Sequence, residues 1–269
     1  MNVDAPIGIF DSGIGGLTVV KEVRRLLPNE NIMYIGDTAR VPYGSRDPVE
    51  IIKFMHQILH FFLKQEVKMA VFACNTMTTY GFKEAEKQYP YLVTAMNSGI
   101  CEAINGSENK RIGVIATKGT VNNQMHSKAA AEFDSSVKVY AKACPDFVPF
   151  IEDGVIAGRE IENLARKYLA FFSKIEIDSL ILGCTHYPLI SSIIQNIIGD
   201  RVRLINPANA TAKDAVALLK KSGNLNKSKE NGSLKMYFSA EVDKARKMTN
   251  LVLNTNKAEF KLIDLAEYC

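Results

Sequence analysis

Two cysteines stand where apolar, strand-like runs of the sequence end. Cys74 closes the run MAVFAC, and Cys184 closes the run SLILGC. A free thiol has a pKa near ~8.5, which a helix N-terminus or a cationic neighbour lowers, so that a thiolate is attainable at neutral pH. A cysteine that follows a strand and precedes a helix lies in such a field. Both are candidate acid–base groups, and the competing interpretation of each is a small, buried apolar residue.

The cysteine count argues against other uses of these thiols. The five cysteines are an odd number without a C-x-x-C pair: Cys74, Cys101, Cys144, Cys184 and Cys269. In a reducing compartment this pattern favours neither a disulfide framework nor a zinc ribbon. We therefore expect free thiols and no bound metal.

Strand-like apolar runs alternate with amphipathic helical segments along the chain. The runs that we interpret as buried strands are 7–10, 31–36, 69–74, 111–116, 137–141, 179–184 and 202–205. The helix predicted after Pro48 places Ile51, Met55 and Ile58 on one apolar face, with Gln57 off that face. This alternation predicts an α/β fold with mostly parallel sheets.

The chain echoes itself in two places. IGIFDSGIGG, from Ile7, is repeated as IGVIATKGTV, from Ile112, and AVFACNT is repeated as LILGCTH at a similar offset. We therefore expect two similar, pseudo-symmetric α/β domains, the first formed by residues 1–97 and 208–269 and the second by residues 98–207. Ligands of open α/β sheets bind beyond the carboxyl ends of the strands, which predicts an active site in the cleft between the domains.

Four motifs, taken together, indicate a family. In chain order they are FDSGIGGLTV, DTARVPYG, ACNT and LGCTHYPL. In order and spacing they resemble the glutamate racemases of the cofactor-independent aspartate/glutamate racemase superfamily. The resemblance runs from about Ile7 to past Asn206. The histidine of GCTH is similar to the glutamate branch, because the aspartate branch has an acidic residue there.

The resemblance implies a role for each matched residue. Cys74 would serve D-glutamate as its base, and Cys184 would serve L-glutamate. The matched substrate-binding positions are Asp11, Ser12, Tyr43, Gly44, Asn75, Thr76, Thr185 and His186. Asp11 suits the substrate ammonium, and Asp11 and His186 also hold or move protons. Glu152 matches an acidic residue near the second thiol, and Thr117 and Thr120 are carboxylate ligands.

The implied chemistry explains why two thiols are needed. Racemisation removes the α-proton from one face and delivers a proton to the other, so that one group is a thiolate while the other is a thiol. The carbanion is stabilised by hydrogen bonds in a dry site, without a cofactor. The implied product, D-glutamate, serves peptidoglycan synthesis and hence the cell wall and cell shape. The alternatives are an aspartate racemase or related amino-acid isomerase, and a ligand-binding homologue without turnover.

Several motifs also have other interpretations. The glycine cluster at 13–16 is similar to a dinucleotide-binding loop, but Thr18 stands where G-x-G-x-x-G needs glycine. HQILH lacks the glutamate of a zinc protease, and its histidines are ordinary helix residues. Tyr43 and Gly44 also fit a turn after Pro42, and Asn75 and Thr185 also fit helix caps.

The sequence departs from the family at two segments. Met77 and Thr78 stand where many members carry small residues, and INPANAT (205–211) lacks the acidic or serine character common there. We expect these changes to alter the shape of the pocket and to leave the proton chemistry in place.

Composition restricts the remaining function classes. The chain has 269 residues, 47% of them hydrophobic, and a net charge of +4 spread along its length, which does not demand a nucleic-acid partner. No signal-peptide pattern lies near the N-terminus, and no apolar run approaches the ~20 residues of a membrane span. We therefore expect a cytoplasmic enzyme with a small-molecule substrate and without membrane attachment, for which a homodimer is a candidate assembly.

Overall fold

A computed structural model describes residues 2–268 as two compact units. The first unit comprises the chain up to Asn97 together with the chain from Ala208 onward, and the second comprises Ser98–Pro207. Each unit has its own parallel sheet with helices between the strands, which confirms the predicted α/β class. No described helix combines the length and the apolar composition that crossing a bilayer requires.

Strands and helices alternate along the whole described chain. The chain begins with β1 (Ile7–Asp11), α1 (Leu17–Leu26), β2 (Ile32–Gly36), α2 (Pro48–Lys64), β3 (Met69–Phe72), α3 (Asn75–Gln88) and β4 (Leu92–Thr94). The second unit contains α4 (Ile100–Asn105), β5 (Arg111–Ala116), α5 (Lys118–Asn123), α6 (Met125–Phe133), β6 (Lys138–Ala143), α7 (Phe147–Glu152), α8 (Arg159–Leu169), β7 (Ser179–Gly183), α9 (Ser191–Ile198) and β8 (Arg203–Ile205). The chain then returns to the first unit with α10 (Ala208–Lys221), β9 (Leu234–Phe238), α11 (Val242–Leu253) and β10 (Glu259–Leu262).

The first unit contains a six-stranded sheet in the order β10-β9-β2-β1-β3-β4. All of its strand pairs are parallel, and Ile7 of β1 is in register with Ile32 of β2 and Met69 of β3. β2, the strand that follows β1 in the sequence, pairs with one side of β1, and β3 pairs with its other side. The ends of β1 and β3 therefore flank a topological switch point, where ligands of open α/β sheets bind.

The second unit repeats part of this arrangement. Its four-stranded sheet has the order β6-β5-β7-β8, again with every pair parallel. β5 thus takes the place of β1, and β7 takes the place of β3. The internal echo of the sequence is therefore an echo of topology, and Cys74 and Cys184 follow equivalent strands of their units.

The buried residues of α2 agree only in part with the apolar face that the sequence predicts. Asp47 caps this helix by accepting a hydrogen bond from the Val49 N–H at 2.8 Å, and Pro48 occupies its first turn. Ile51, Met55 and Ile58 are buried as predicted. The prediction was wrong for Gln57, which is also buried because its side chain accepts a hydrogen bond from Arg40.

Candidate active site

Cys74 lies between the end of β3 and the first residue of α3. It is the N-cap residue of this 14-residue helix and is only 4% exposed. The preceding N–H, of Ala73, donates to the carbonyl of Phe10 at 2.9 Å, so that the chain stays paired with β1 up to the cysteine. The positive end of the helix dipole therefore lies at Cys74, where it favours an anionic side chain.

The two residues after Cys74 open α3 and are also buried. Neither Nδ2 nor Oδ1 of Asn75 has a hydrogen-bond partner within the described residues. The helix-cap interpretation is therefore wrong for Asn75. A buried polar group without a partner costs about 1–3 kcal/mol, so this amide marks a place that a polar ligand would fill. Thr76 lies beside it with a buried hydroxyl.

Asp11 ends β1, and Ser12 follows it on the same edge of the sheet. The carboxylate of Asp11 is fully buried, and its Oδ1 accepts a hydrogen bond from the Ser12 N–H at 2.8 Å. Gly16 is required beside it, because a Cβ atom there would lie 2.7 Å from the Cβ of Asp11. The glycine cluster thus lets the loop pass close to a buried carboxylate.

Tyr43 and Gly44 lie in a short 3-10 helix, Tyr43–Ser45, which fits the turn predicted after Pro42. The phenol of Tyr43 is buried, and its hydroxyl donates to the carboxylate of Asp37. Burial, and then the negative charge of Asp37, hold the pKa of Tyr43 well above its ordinary value, so the hydroxyl remains a donor. Asp37 was not among the predicted site residues, although it belongs to the same DTARVPYG motif.

In the second unit, Cys184 follows β7 directly and is 5% exposed. Its Sγ lies 3.7 Å from Nδ1 of His186, and Nε2 of His186 lies 2.6 Å from Oε1 of Glu152 at the end of α7. Burial alone would lower the pKa of His186, but its hydrogen bonds to Cys184 and Glu152 outweigh burial and hold that pKa well above its ordinary value. The imidazolium therefore links a carboxylate to the thiol.

Three threonines accompany this thiol in the second unit. Thr117 caps α5, where its Oγ1 accepts from the Thr120 N–H at 3.4 Å, and Thr120 is fully buried. Thr185 is buried directly after Cys184 and precedes the N-cap residue of a 3-10 helix, Tyr187–Ile190. These threonines and Cys184 therefore follow the ends of β5 and β7, whereas Glu152 reaches His186 from the end of α7.

The predicted site residues fall into two groups, one in each unit. Asp11, Ser12, Tyr43, Gly44, Cys74, Asn75 and Thr76 belong to the first, and Thr185 and His186 join Cys184 in the second. Met77 and Thr78, which depart from the family pattern, have structural uses as well. Met77 is fully buried in the core of the first unit, and Thr78 accepts a hydrogen bond from the Met96 N–H at 3.2 Å.

His56 of HQILH uses both ring nitrogens within the first unit, whereas Nδ1 of the other histidine, His60, is buried without a hydrogen-bond partner in the described residues. Nδ1 of His56 lies 2.8 Å from the Tyr89 hydroxyl, and its Nε2 lies 2.9 Å from Glu84. Across residues 2–268, no group of three or more histidine, cysteine, aspartate or glutamate side chains is arranged to hold a metal ion. His56 is therefore engaged in helix packing and a surface ion pair.

Comparisons with known proteins agree over nearly the whole chain. A family model described as Asp/Glu/hydantoin racemase matches residues 12–215. A glutamate racemase of Chlorobaculum tepidum is 39% identical over 264 residues, covering 97% of each chain, and one of Thermoanaerobacter sp. is 40% identical over 263 residues, covering 98% of each. The crystal structure of a glutamate racemase from Francisella tularensis in complex with D-glutamate superposes with a TM-score of 0.90 at 35% identity, over 99% of this chain and 100% of that one.

Proposed function

Because this chain belongs to the Asp/Glu/hydantoin racemase family, we propose that it interconverts L- and D-glutamate without a cofactor and that Cys74 and Cys184 are its two bases. Glutamate is the substrate named for the similar proteins described above, and it has the two carboxylates that the site residues suit. The single observation that carries the mechanism is the equivalent placement of two buried thiols after β3 and β7, each beside the end of a central strand.

The reaction needs one thiol on each face of the α-carbon. With D-glutamate, the Cys74 thiolate takes the α-proton, and the Cys184 thiol gives its own proton to the opposite face. The product is L-glutamate, and the enzyme is left with Cys74 as the thiol and Cys184 as the thiolate. The reverse reaction uses the same groups in exchanged roles, so protons balance over each turnover.

The α-proton of an amino acid is weakly acidic, so the carbanion must be stabilised where its charge develops. Charge moves from the α-carbon into the α-carboxylate, and preorganised donors at that carboxylate bind the intermediate more strongly than the substrate. We assign this role to the partnerless amide of Asn75 and to the hydroxyls of Thr76 and Thr185. Asp11 and Ser12 complete the set, with Asp11 on the ammonium group.

His186 and Glu152 support Cys184. An imidazolium that donates to the sulfur favours the thiolate, and Glu152 keeps the ring charged and oriented. Asp11 is the buried carboxylate that belongs to the Cys74 group, so the two thiols have different surroundings.

The activity is tested by following optical rotation. Purified protein should bring the optical rotation of L-glutamate and D-glutamate solutions to zero, and it should leave the optical rotation of L-aspartate unchanged. Loss of rotation with aspartate and not with glutamate would favour the aspartate racemase alternative. Binding of glutamate without loss of rotation would favour a non-catalytic homologue.

The cellular role is a further part of the proposal. D-glutamate made by this enzyme in the cytoplasm would supply peptidoglycan synthesis and so maintain the cell wall. Expression in a bacterium that requires external D-glutamate should restore growth without it. The variant Cys184→Ala, expressed at the same level, should not restore growth.

A further inference from the structure

The imidazole of His126 lies against the ends of two neighbouring strands in the second unit. His126 belongs to α6 and is 3% exposed. A Cβ atom added to Gly183, the last residue of β7, would lie 3.0 Å from Cε1 of His126 and 3.1 Å from the Cβ of Ala116, the last residue of β5. Both distances are shorter than the ~3.5–4.0 Å at which carbon atoms pack favourably. The missing side chain at Gly183 therefore leaves the space that the His126 ring fills.

The His126 ring is part of the apolar layer between α6 and the sheet. Ala130, one helical turn after His126, is buried in the same cluster as Ala116 and Ile181. Residues at i and i+4 of a helix share one face, so His126 lies on the face that packs on the strands. Alternate residues of a strand also share a face, so Gly183 lies on the same face of β7 as Ile181. His126 thus ends this layer at the carboxyl end of the strands.

The residues that follow these two strand ends belong to the candidate site. Ala116 and Gly183 are partners in the register of β5 and β7. Thr117 follows the first of them, and Cys184 follows the second. A displacement of Gly183 passes directly to Cys184, because the peptide bond between them is planar and rigid. The ring of His126 is therefore placed to affect the position of the second thiol.

The effect of His126 on this strand end is steric. Burial lowers the pKa of His126 to about 4, so its ring is neutral at neutral pH. Its Nε2 has no hydrogen-bond partner among the described residues. Charge beside Cys184 comes instead from His186, whose Nδ1 lies 3.7 Å from the sulfur. His126 therefore contributes its volume to this part of the second unit.

We propose that His126 is a positioning residue for Cys184, which acts by filling the space beside Gly183 and so fixing the end of β7. This inference rests on the proposed function and on the assignment of Cys184 to the L-enantiomer. Proton abstraction needs the base in near-attack geometry, and a misplacement of about 1 Å can cost about 10²-fold in rate. Loss of the ring should therefore slow the chemistry of Cys184 and leave the chemistry of Cys74, in the first unit, unchanged.

The test measures elimination from a glutamate analogue that carries a good leaving group on its β-carbon, in two single-thiol backgrounds. Cys74→Ala keeps only the second thiol and should process the L-form, whereas Cys184→Ala should process the D-form. Adding His126→Ala should lower kcat for the L-form about tenfold, with a smaller change in KM, and should leave the D-form kinetics unchanged. A merely structural role for His126 would lower the unfolding midpoint in both backgrounds without separating the two enantiomers.

A size exchange at the same contact gives a second measurement. Gly183→Ala adds a Cβ atom against the ring and should also slow the reaction of the L-form. His126→Ala removes this close contact, so the double variant should slow the reaction less than the product of the two single effects. The carbonyl oxygen of Ile115, 3.0 Å from the added atom, keeps the recovery partial.

The matched control is His60→Ala. His60 lies on α2 in the first unit, and its Nδ1 is also buried without a partner in the described residues. It has no contact with the end of β7. Its replacement in the two single-thiol backgrounds should therefore leave the ratio of L-form to D-form rates unchanged.

Each outcome decides the proposal. Equal losses for the two enantiomers in folded His126→Ala, no loss for either, or effects of His126→Ala and Gly183→Ala that multiply in full would overturn it. If His126→Ala does not fold, Gly183→Ala becomes the test, and equal effects on the L-form and the D-form would overturn the proposal. Wild-type protein that neither binds nor racemises glutamate would instead contradict the proposed function.

Discussion

The imidazole of His186 lies between a thiol and a carboxylate, with its Nε2 2.6 Å from Oε1 of Glu152. On its other side, Nδ1 lies 3.7 Å from Sγ of Cys184. The side chains of the ion pair are 2% and 11% exposed, so water screens them poorly. The charge state of His186 therefore affects both the stability of the second unit and the reactivity of its thiol.

Glu152→Gln should destabilise the protein in a pH-dependent way. The folded-state pKa of His186 is raised above its ordinary value of 6.5, so the stabilisation is fully present below that value and is lost as the pH rises through the folded pKa. We expect a loss of about 3 kcal/mol near pH 6, as for a broken buried ion pair, and a smaller loss at higher pH. Urea unfolding over a pH series measures both.

The matched control for this prediction is Glu84→Gln. Glu84 pairs with His56 at 2.9 Å, but its side chain is 52% exposed. Such surface pairs contribute about 0–1 kcal/mol, so the control should remain close to wild type. If the loss of unfolding free energy in Glu152→Gln grew with rising pH, His186 would be neutral in the folded protein.

Asn75→Leu should stabilise the free enzyme and weaken substrate binding. Its buried amide has no partner in the described residues, and replacing a partnerless polar group with an apolar one removes a cost of about 1–3 kcal/mol. The same change removes a donor to the substrate carboxylate, so KM should rise. Thermal unfolding and steady-state kinetics measure the two effects on one sample.

Asn97→Leu is the corresponding control. Nδ2 of Asn97 donates to Asp214 at 2.7 Å, so this amide is already satisfied within the first unit. Its replacement should not stabilise the protein. Stabilisation by Asn97→Leu as large as that by Asn75→Leu would show that the gain comes from apolar substitution alone.

The strands that carry the predicted site residues follow from local sequence. β1, β3, β5 and β7 are short apolar runs buried on both faces, and periodicity identifies such runs well. The predicted end of β3 was less accurate. The apolar run continues to Cys74, whereas β3 ends at Phe72. Cys74 keeps an extended backbone conformation as the N-cap residue of α3, but the register of paired residues between β1 and β3 ends at Phe72.

Three strands were not predicted. β4 has only three residues, and the outermost strand, β10, alternates Glu259 and Lys261 with half-buried or exposed apolar side chains. β9 is buried and apolar, but it follows a lysine-rich segment that resembles a linker. The pairing of these strands depends on distant segments, and short windows of sequence do not contain that information.

The side chains around Asp37 and Arg40 show, within the candidate site, that contacts between distant segments are not predicted from the sequence. Gln57 has the polarity of a surface residue, and its burial follows only from Arg40, seventeen positions earlier in the chain. Ser239, which donates a hydrogen bond to Asp37, is separated from it by 202 positions. The motif DTARVPYG was evident from the sequence, whereas the partners that fix it required the structure.

Thiol alkylation should abolish racemisation, and glutamate should protect against it. Chelators and carbonyl reagents should leave the activity intact, because the proposed chemistry uses neither a metal nor a carbonyl cofactor. Mass spectrometry of the alkylated protein identifies which cysteines have reacted. Full modification of Cys74 and Cys184 with turnover retained would contradict their assignment.

Early turnover in D₂O should place deuterium in the product and not in the remaining substrate. With two bases, the proton delivered comes from a thiol that has exchanged with solvent, while the abstracted proton stays on the other thiol. A single base could return the original proton to the α-carbon. Unlabelled D-glutamate formed from L-glutamate, detected by NMR before equilibrium, would exclude the two-thiol mechanism.

Separate removal of the two thiols gives the strictest test of their roles. Racemisation needs both, so Cys74→Ala and Cys184→Ala should each abolish it. Elimination of a good leaving group from the β-carbon of a glutamate analogue needs only one proton abstraction. Cys184→Ala should therefore process the D-form of such an analogue, and Cys74→Ala should process the L-form.

This experiment also distinguishes a lost base from a lost fold, because each variant must remain active on one enantiomer. Cys101→Ala is the matched control, since that thiol is exposed and should leave racemisation unchanged. A folded Cys184→Ala that racemises glutamate near the wild-type rate would return Cys184 to the role of a small, buried apolar residue. Both variants preferring the same enantiomer would show that the two thiols do not serve opposite faces of the α-carbon.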